Sequence, residues 1–212
     1  MRAFIFDMDG VIINSQPIHY EVDTMIFKKL GIVLKKEEME GFAGMTNPEI
    51  LRVLKEKFKF EENIDDVLKE QIRIKTNLLK QRKIKPIEGI IELVDKLKDK
   101  NILIAVASSS PRKFIEAVLE TFGIIERFDK IICGEEVPKG KPEPDIYIEA
   151  ARQLGVNIEE CVVLEDSTHG IAAAKAAGMK CIGFRNPDSG SQVHSKADIV
   201  VNSIREIDIE AI

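Results

Sequence analysis

The feature that most constrains this chain is a series of short apolar runs, at residues 2–6, 102–107, 130–133, 161–164, 181–184 and 198–201, none of which alternates with polar residues. A strand with one wet face alternates apolar and polar positions. Runs rich in β-branched and aromatic residues without that alternation read as strands buried on both faces. From residue 86 onward the runs alternate with helical patterns at about 90–98, 111–121, 144–154 and 169–177. That alternation predicts an α/β fold: a Rossmann-like parallel sheet built of βαβ units, with helices on both faces. Pro111 behind Ser110 reads as a first-turn proline following an N-cap serine.

The segment between the first two runs breaks this rhythm. It holds helical patterns at about 17–29, 47–58 and 64–82 and no convincing strand, so an all-helical cap inserted after the first strand is predicted. Thr46-Asn47-Pro48-Glu49 offers a capping box and a first-turn proline for one of its helices. The expected division is a catalytic core of residues 1–14 and 84–212 and a cap of residues 15–83. Both connections, around 13–17 and 82–87, fall at one edge of the core, which suits a hinged lid. Gly41-Phe42-Ala43-Gly44-Met45, with two glycines and two large apolar side chains, is the candidate specificity loop.

Composition narrows the partners. A formal net charge of −5 provides no basic field for nucleic acid, and no Lys/Arg block stands beside an aromatic platform. With 44% hydrophobic and 32% charged residues, no apolar run is long enough to cross a bilayer. The first run meets Asp7 too soon for a signal-peptide apolar region, so a cytoplasmic protein is expected. No apolar stripe stands unaccounted for, and a monomer is expected. Cys133, Cys161 and Cys181 lie in apolar runs without close Cys or His partners and read as buried free thiols.

Ligands of an open parallel sheet gather beyond the carboxyl ends of its strands, and those ends carry polar groups here. Asp7-Met8-Asp9-Gly10 follows the first run, Ser108-Ser109-Ser110 the second, and Glu165-Asp166-Ser167 the run at 161–164; Lys139-Gly140-Lys141-Pro142 follows 130–133 after a short loop. Singly, these are a turn, a helix cap, a polar strand end and a solvated loop charge. Together they meet the electrostatic needs of phosphoryl transfer, which depends on positioning and charge stabilisation. Gly10 lets the chain turn so that Asp7, a nucleophile, and Asp9, a proton donor, face one pocket. A carboxylate approaching a phosphate dianion needs a cation; Mg²⁺ with oxygen ligands fits, and Asp166 and Glu165 can supply them. Lys141 offers a fixed positive charge, and Ser108 a hydroxyl at a helix N-terminus.

Phe6-Asp7-Met8-Asp9-Gly10-Val11, Ser108, Lys141-Pro142-Glu143-Pro144-Asp145 and Leu164-Glu165-Asp166-Ser167 resemble the four motifs of the haloacid dehalogenase superfamily, over nearly the whole chain. The helical insert between the first two motifs is similar to the branch containing β-phosphoglucomutase and small sugar-phosphate phosphatases. The resemblance implies an aspartyl phosphate on Asp7, with Asp9 protonating the leaving oxygen and then activating the acceptor. It implies that Ser108 and Lys141, with Ser109 beside them, grip the phosphate. It also implies Mg²⁺ bound by Asp7, the Asp9 carbonyl and Asp166, with Glu165 a ligand or a partner of one.

The departures carry information too. Dehalogenases of the superfamily lack the second aspartate, so Asp9 speaks for an oxygen leaving group. A lid arginine that holds the second phosphate in the mutase corresponds here to Asn47, whereas His19 matches a lid-side histidine. Both are candidate substrate contacts. Asn14-Ser15-Gln16 replaces a more acidic segment. The expected function is a Mg²⁺-dependent phosphatase of a small phosphorylated metabolite, a sugar phosphate; the alternatives are β-phosphoglucomutase and a non-catalytic metal-binding module.

Overall fold

The computed structural model describes residues 1–34, 38, 42 and 47–212. The chain forms two compact units, one of residues Met1–Gln16 and Lys83–Ile212, the other of Pro17–Arg82.

The first unit is built on one sheet of six parallel strands: β1 (Ala3–Phe6), β2 (Leu103–Ser108), β3 (Lys130–Cys133), β4 (Cys161–Glu165), β5 (Lys180–Phe184) and β6 (Ile199–Val201). Their order is β3-β2-β1-β4-β5-β6. The first strand in sequence is therefore central, and the winding reverses beside it, where open α/β sheets bind ligands. The apolar runs lack alternation because both faces are covered. Ala3 and Ile5 join a cluster with Ala105, Ala107, Val163 and Tyr147. Phe4 and Phe6, equally buried, have ring centroids 4.8 Å apart, and Phe128 meets Phe6 edge-on at 5.8 Å.

Four helices of this unit follow in chain order after three among the described residues of the insert, and are labelled accordingly: α4 (Ile90–Asp99), α5 (Arg112–Thr121), α6 (Asp145–Leu154) and α7 (Thr168–Ala176). Each buries one apolar stripe, for example Ile90, Leu93, Val94 and Leu97 on α4. The chain leaves for the insert after Ile13 and returns near Ile87, whose N–H donates to Ile12 O at 2.9 Å. The start of α5 differs from the sequence expectation: Pro111 is the N-cap residue and Arg112 the first helical one, without a side-chain cap.

The second unit contains α1 (Gln16–Lys29, whose first residue belongs to the sheet unit), α2 (Asn47–Phe58) and α3 (Ile64–Gln81). Ile18, Val22 and Ile26 recur every fourth position on the buried side of α1. On α3 the buried stripe runs Val67, Gln71, Lys75, Leu79, so its centre is polar. Asp23 accepts from Gln71 Nε2 at 3.0 Å and lies 3.9 Å from Lys75 Nζ. Burial raises the Asp23 carboxyl, and the Lys75 and His19 charges oppose the rise. Asn63 caps α3 by accepting the Asp65 N–H at 2.8 Å. Thr46 of the expected capping box and Gly41, Ala43, Gly44 and Met45 of the expected specificity loop lie outside the described residues.

Among the described residues no helix is long and apolar enough to cross a membrane. The three cysteines are free and buried, as their apolar runs suggest. Burial and nearby acids push the Cys161 thiol up to about 11 and the Cys181 thiol up to about 12.

Candidate active site

Strand register assembles the site. Phe6 of β1 pairs with Val106 of β2 on one side and Leu164 of β4 on the other, and the Asp7 N–H extends the ladder to Leu164 O at 3.0 Å. Asp7 therefore leaves the sheet between Ala107-Ser108 and Glu165-Asp166. The next residues fold back at once: the N–H groups of Val11, Ile12 and Ile13 all reach Met8 O, and Gly10 N–H donates to Ile13 O.

Gly10 is required here twice over. Its φ of +87° lies in the left-handed region, and a Cβ would stand 2.6 Å from Asp166 Cγ and 2.8 Å from Ser189 Oγ. Asn186 Nδ2, buried, donates to Gly10 O at 2.9 Å and fastens this turn to the loop after β5.

Lys141 lies at the middle of the charge cluster. Its Nζ is 2.6 Å from Asp7 Oδ1, 2.7 Å from Glu165 Oε1 and 3.2 Å from Ala107 O, which uses all three ammonium hydrogens. Burial alone would lower its pKa, but the Asp7 and Glu165 charges hold it well above the ordinary value. Glu165 is as fully engaged. Oε1 accepts from Lys141 and from Tyr147 OH at 2.9 Å, and Oε2 accepts from Ser167 N–H and Oγ at 2.9 Å each. The helix α7 leaves room for this carboxylate by placing Gly170 where any Cβ would overlap it. Burial would raise the Glu165 carboxyl, yet Lys141 and these hydrogen bonds keep it below the usual range.

Asp9 is turned towards hydroxyls. Ser15 Oγ donates to Oδ1 at 2.5 Å, and Ser110 Oγ and Ser108 Oγ donate to Oδ2 at 2.8 and 3.1 Å. Ser108 Oγ in turn accepts the Ser110 N–H at 3.0 Å. Ser110 thus serves Asp9 rather than capping α5, because a partner 101 residues away competes better for its hydroxyl than the local helix end. Ser109 is exposed, while Ser108 and Ser110 are buried. Asn14 and Ser15 also find a role: Asn14 Nδ2 donates to Asp188 Oδ2 at 2.7 Å, where a carboxylate would meet a like charge.

Asp7, Glu165 and Asp166 each present a carboxylate oxygen, all within 4.8 Å of one another. Such an all-oxygen donor set suits a hard divalent cation. Such a cation would relieve the like charges gathered here. Burial raises the Asp7 carboxyl well above the usual range; Lys141 opposes this, and the charges of Glu165, Asp166 and Asp9 add to it. Burial and Glu165 push the Asp166 carboxyl up to about 7, and the hydroxyl of Ser189 on its Oδ2 offsets only part of that. A cation among these oxygens would return both groups to their ionised form.

Sequence reasoning identified Asp7, Asp9, Ser108, Lys141, Glu165 and Asp166, and the structure brings them to one end of the sheet. It missed Ser15, Ser110, Tyr147, Asn186 and Ser189, which hold those groups. His19 on α1 and Asn47, the first residue of α2, belong to the helical unit.

Comparison with known proteins identifies the family. The family model described as haloacid dehalogenase-like hydrolase matches residues 4–184. The chain is 29% identical to a phosphorylated carbohydrates phosphatase of Thermotoga maritima, covering 98% of this chain and all of the relative. Among solved structures it is similar to CbbY from Rhodobacter sphaeroides in complex with xylulose-(1,5)bisphosphate, with a TM-score of 0.87, 27% identity and coverage of 97% and 96%. It is likewise similar to a β-phosphoglucomutase from Clostridium difficile, with a TM-score of 0.82, 29% identity and coverage of 100% and 95%. With its strand-end carboxylates, lysine and serines in place and its sequence matched from β1 through β5, the chain belongs to the haloacid dehalogenase-like hydrolases.

Proposed function

We propose that this chain is a Mg²⁺-dependent phosphatase that hydrolyses a small phosphorylated carbohydrate through an aspartyl phosphate on Asp7. The enzyme is a phosphoric monoester hydrolase of the haloacid dehalogenase type. The observation that carries the reading is the asymmetry of the two aspartates: Asp7 is ion-paired to Lys141, and Asp9 accepts from the hydroxyls of Ser15, Ser108 and Ser110.

Each aspartate suits one half of the reaction. Lys141 fixes Asp7 Oδ1 and orients the carboxylate for attack on phosphorus. Asp9, beside it, gives a proton to the departing sugar oxygen and then takes one from the water that cleaves the aspartyl phosphate. Ser108, whose hydroxyl rests on Asp9, can turn it to a phosphate oxygen, and Ser109 and Lys141 add to the grip on that group. Asp7, the Asp9 carbonyl and Asp166 would hold the metal. Bound Mg²⁺ supplies charge neutralisation between the attacking carboxylate and the phosphate dianion. His19 and Asn47 are the proposed substrate contacts of the helical unit, and the carbohydrate class is supported by the phosphatase relative.

Likeness to a β-phosphoglucomutase structure supports a second reading, in which Asp9 activates a sugar hydroxyl instead of water. Asn47 weighs against it, because a neutral side chain holds a doubly phosphorylated intermediate poorly. A phosphate-release screen over phosphorylated sugars and polyols with Mg²⁺, run beside a β-glucose 1-phosphate isomerisation assay, separates the two. Free phosphate as the main product supports the phosphatase; isomerisation that outruns release rejects it. Absence of turnover with metal bound would leave a non-catalytic module.

A further inference from the structure

Tyr147 touches Lys141 and Glu165, which are paired to each other, and neither Asp7 nor Asp9. It is fully buried on α6, six positions beyond Lys141. The Lys141 ammonium stands over its ring, 5.0 Å from the centroid, and its hydroxyl donates to Glu165 Oε1, the same oxygen that Lys141 uses. Filling the apolar cluster around Ala107, Ala150 and Ile171 needs only the ring. A phenylalanine would do that without a hydroxyl to satisfy. The hydroxyl must therefore be explained by Glu165.

A carboxylate offers about four acceptor sites. Lys141, Tyr147, and the Ser167 N–H and Oγ fill those of Glu165. Without the tyrosine hydroxyl, one acceptor of Oε1 opens next to Asp7 and Asp166, where a divalent cation would compete with Lys141 for it. A lysine ammonium is a point charge on a flexible stem and carries no orientation of its own. Its place is set by what surrounds it, here the ring below and Glu165 beside it.

We infer that Tyr147 is a positioning residue: its ring supports the Lys141 ammonium and its hydroxyl saturates Glu165, so that Glu165 holds Lys141 against Asp7 instead of joining Asp166 on the metal. The kinetic consequence rests on the phosphatase reading above; the structural one does not.

Tyr147→Phe tests it, since the ring and the packing are kept. With p-nitrophenyl phosphate and Mg²⁺, kcat falls about 10- to 100-fold, as is usual when a partner of a metal-site residue is removed, while KM stays within about twofold. Calorimetric titration with Mg²⁺ shows severalfold tighter binding, because Glu165 is released to the metal. Nitrogen-15 spectra of the lysine ammonium groups, with Lys141→Ala for assignment, show a slowly exchanging Lys141 signal that shifts or broadens in Tyr147→Phe. In a Glu165→Gln background the tyrosine substitution has no further effect on Mg²⁺ affinity.

A merely structural tyrosine would lower thermal stability and leave Mg²⁺ affinity and the ammonium signal where they were, and that result overturns the inference. If the unsubstituted protein releases no phosphate, the phosphatase reading falls, and the Mg²⁺ titration and ammonium spectra still decide the role of Tyr147.

Discussion

Lys141 Nζ lies 2.6 Å from Asp7 Oδ1, with both side chains only 8% exposed. An ion pair this dry stabilises the fold little in total, but breaking it from one side leaves a buried charge without a partner. Lys141→Ala is expected to destabilise the protein by about 3–5 kcal/mol in urea unfolding. The same variant is expected to abolish phosphate release. A variant as stable as the parent would show that Asp7 and Glu165 do not depend on the ammonium.

Asp9→Asn keeps the shape of the side chain and removes its proton chemistry. Turnover should drop by roughly 10²–10⁴, the usual contribution of a general acid/base. Mg²⁺ affinity should change little, since Asp9 is proposed to meet the metal through its carbonyl. Calorimetry beside a phosphate-release assay reads both. Equal losses of metal binding and turnover would assign Asp9 to the metal instead.

Gly10→Ala meets two obstacles together. The φ of +87° carries a backbone penalty of about 1–2 kcal/mol for a residue with a Cβ. The new methyl also presses on Asp166 Cγ and Ser189 Oγ. The expected result is a lower melting temperature together with weaker Mg²⁺ binding, whereas a backbone effect alone would lower only the first.

The Asp166 carboxyl, raised by burial to about 7, links metal, pH and stability. Its proton is held more tightly in the folded chain than in the unfolded one. In metal-free protein the stability due to that proton is present in full below the ordinary carboxylate value and is lost as pH rises through about 7. Mg²⁺ competes with the same proton, so the rise in melting temperature that it causes should be small near pH 5 and large near pH 8, conditions about two and one units either side of the Asp166 midpoint. Thermal melts with Mg²⁺ and with chelator across this range measure it. A Mg²⁺ effect independent of pH would mean that Asp166 is ionised throughout.

The sequence carried the sheet because the strands are buried on both faces, and uniform apolar runs such as Cys161–Leu164 leave few other readings. It carried Asp7 and Asp166 because strand ends are marked by an abrupt change from apolar to acidic. Ser110 was misread because local rules make a serine before a proline a helix cap, whereas its actual partner, Asp9, arrives through the β1–β2 register. Tyr147 was hidden inside the regular apolar stripe of α6, with Ile146, Ala150 and Ala151. Its one clue is the hydroxyl, which has meaning only once β4 lies alongside. Asn186 and Ser189 sit in a segment that reads as a polar turn; their bonds to Gly10 and Asp166 exist only because the chain end of β5 reaches the same edge of the site.

The hydrogen bond from Ile87 to Ile12 closes the sheet unit across the neck of the insert. Every strand-end group of the proposed chemistry lies outside residues 17–82, which form one contiguous segment. That segment can therefore be treated as a cassette: exchanging it for the corresponding stretch of a relative leaves every one of those strand-end groups in the sheet unit.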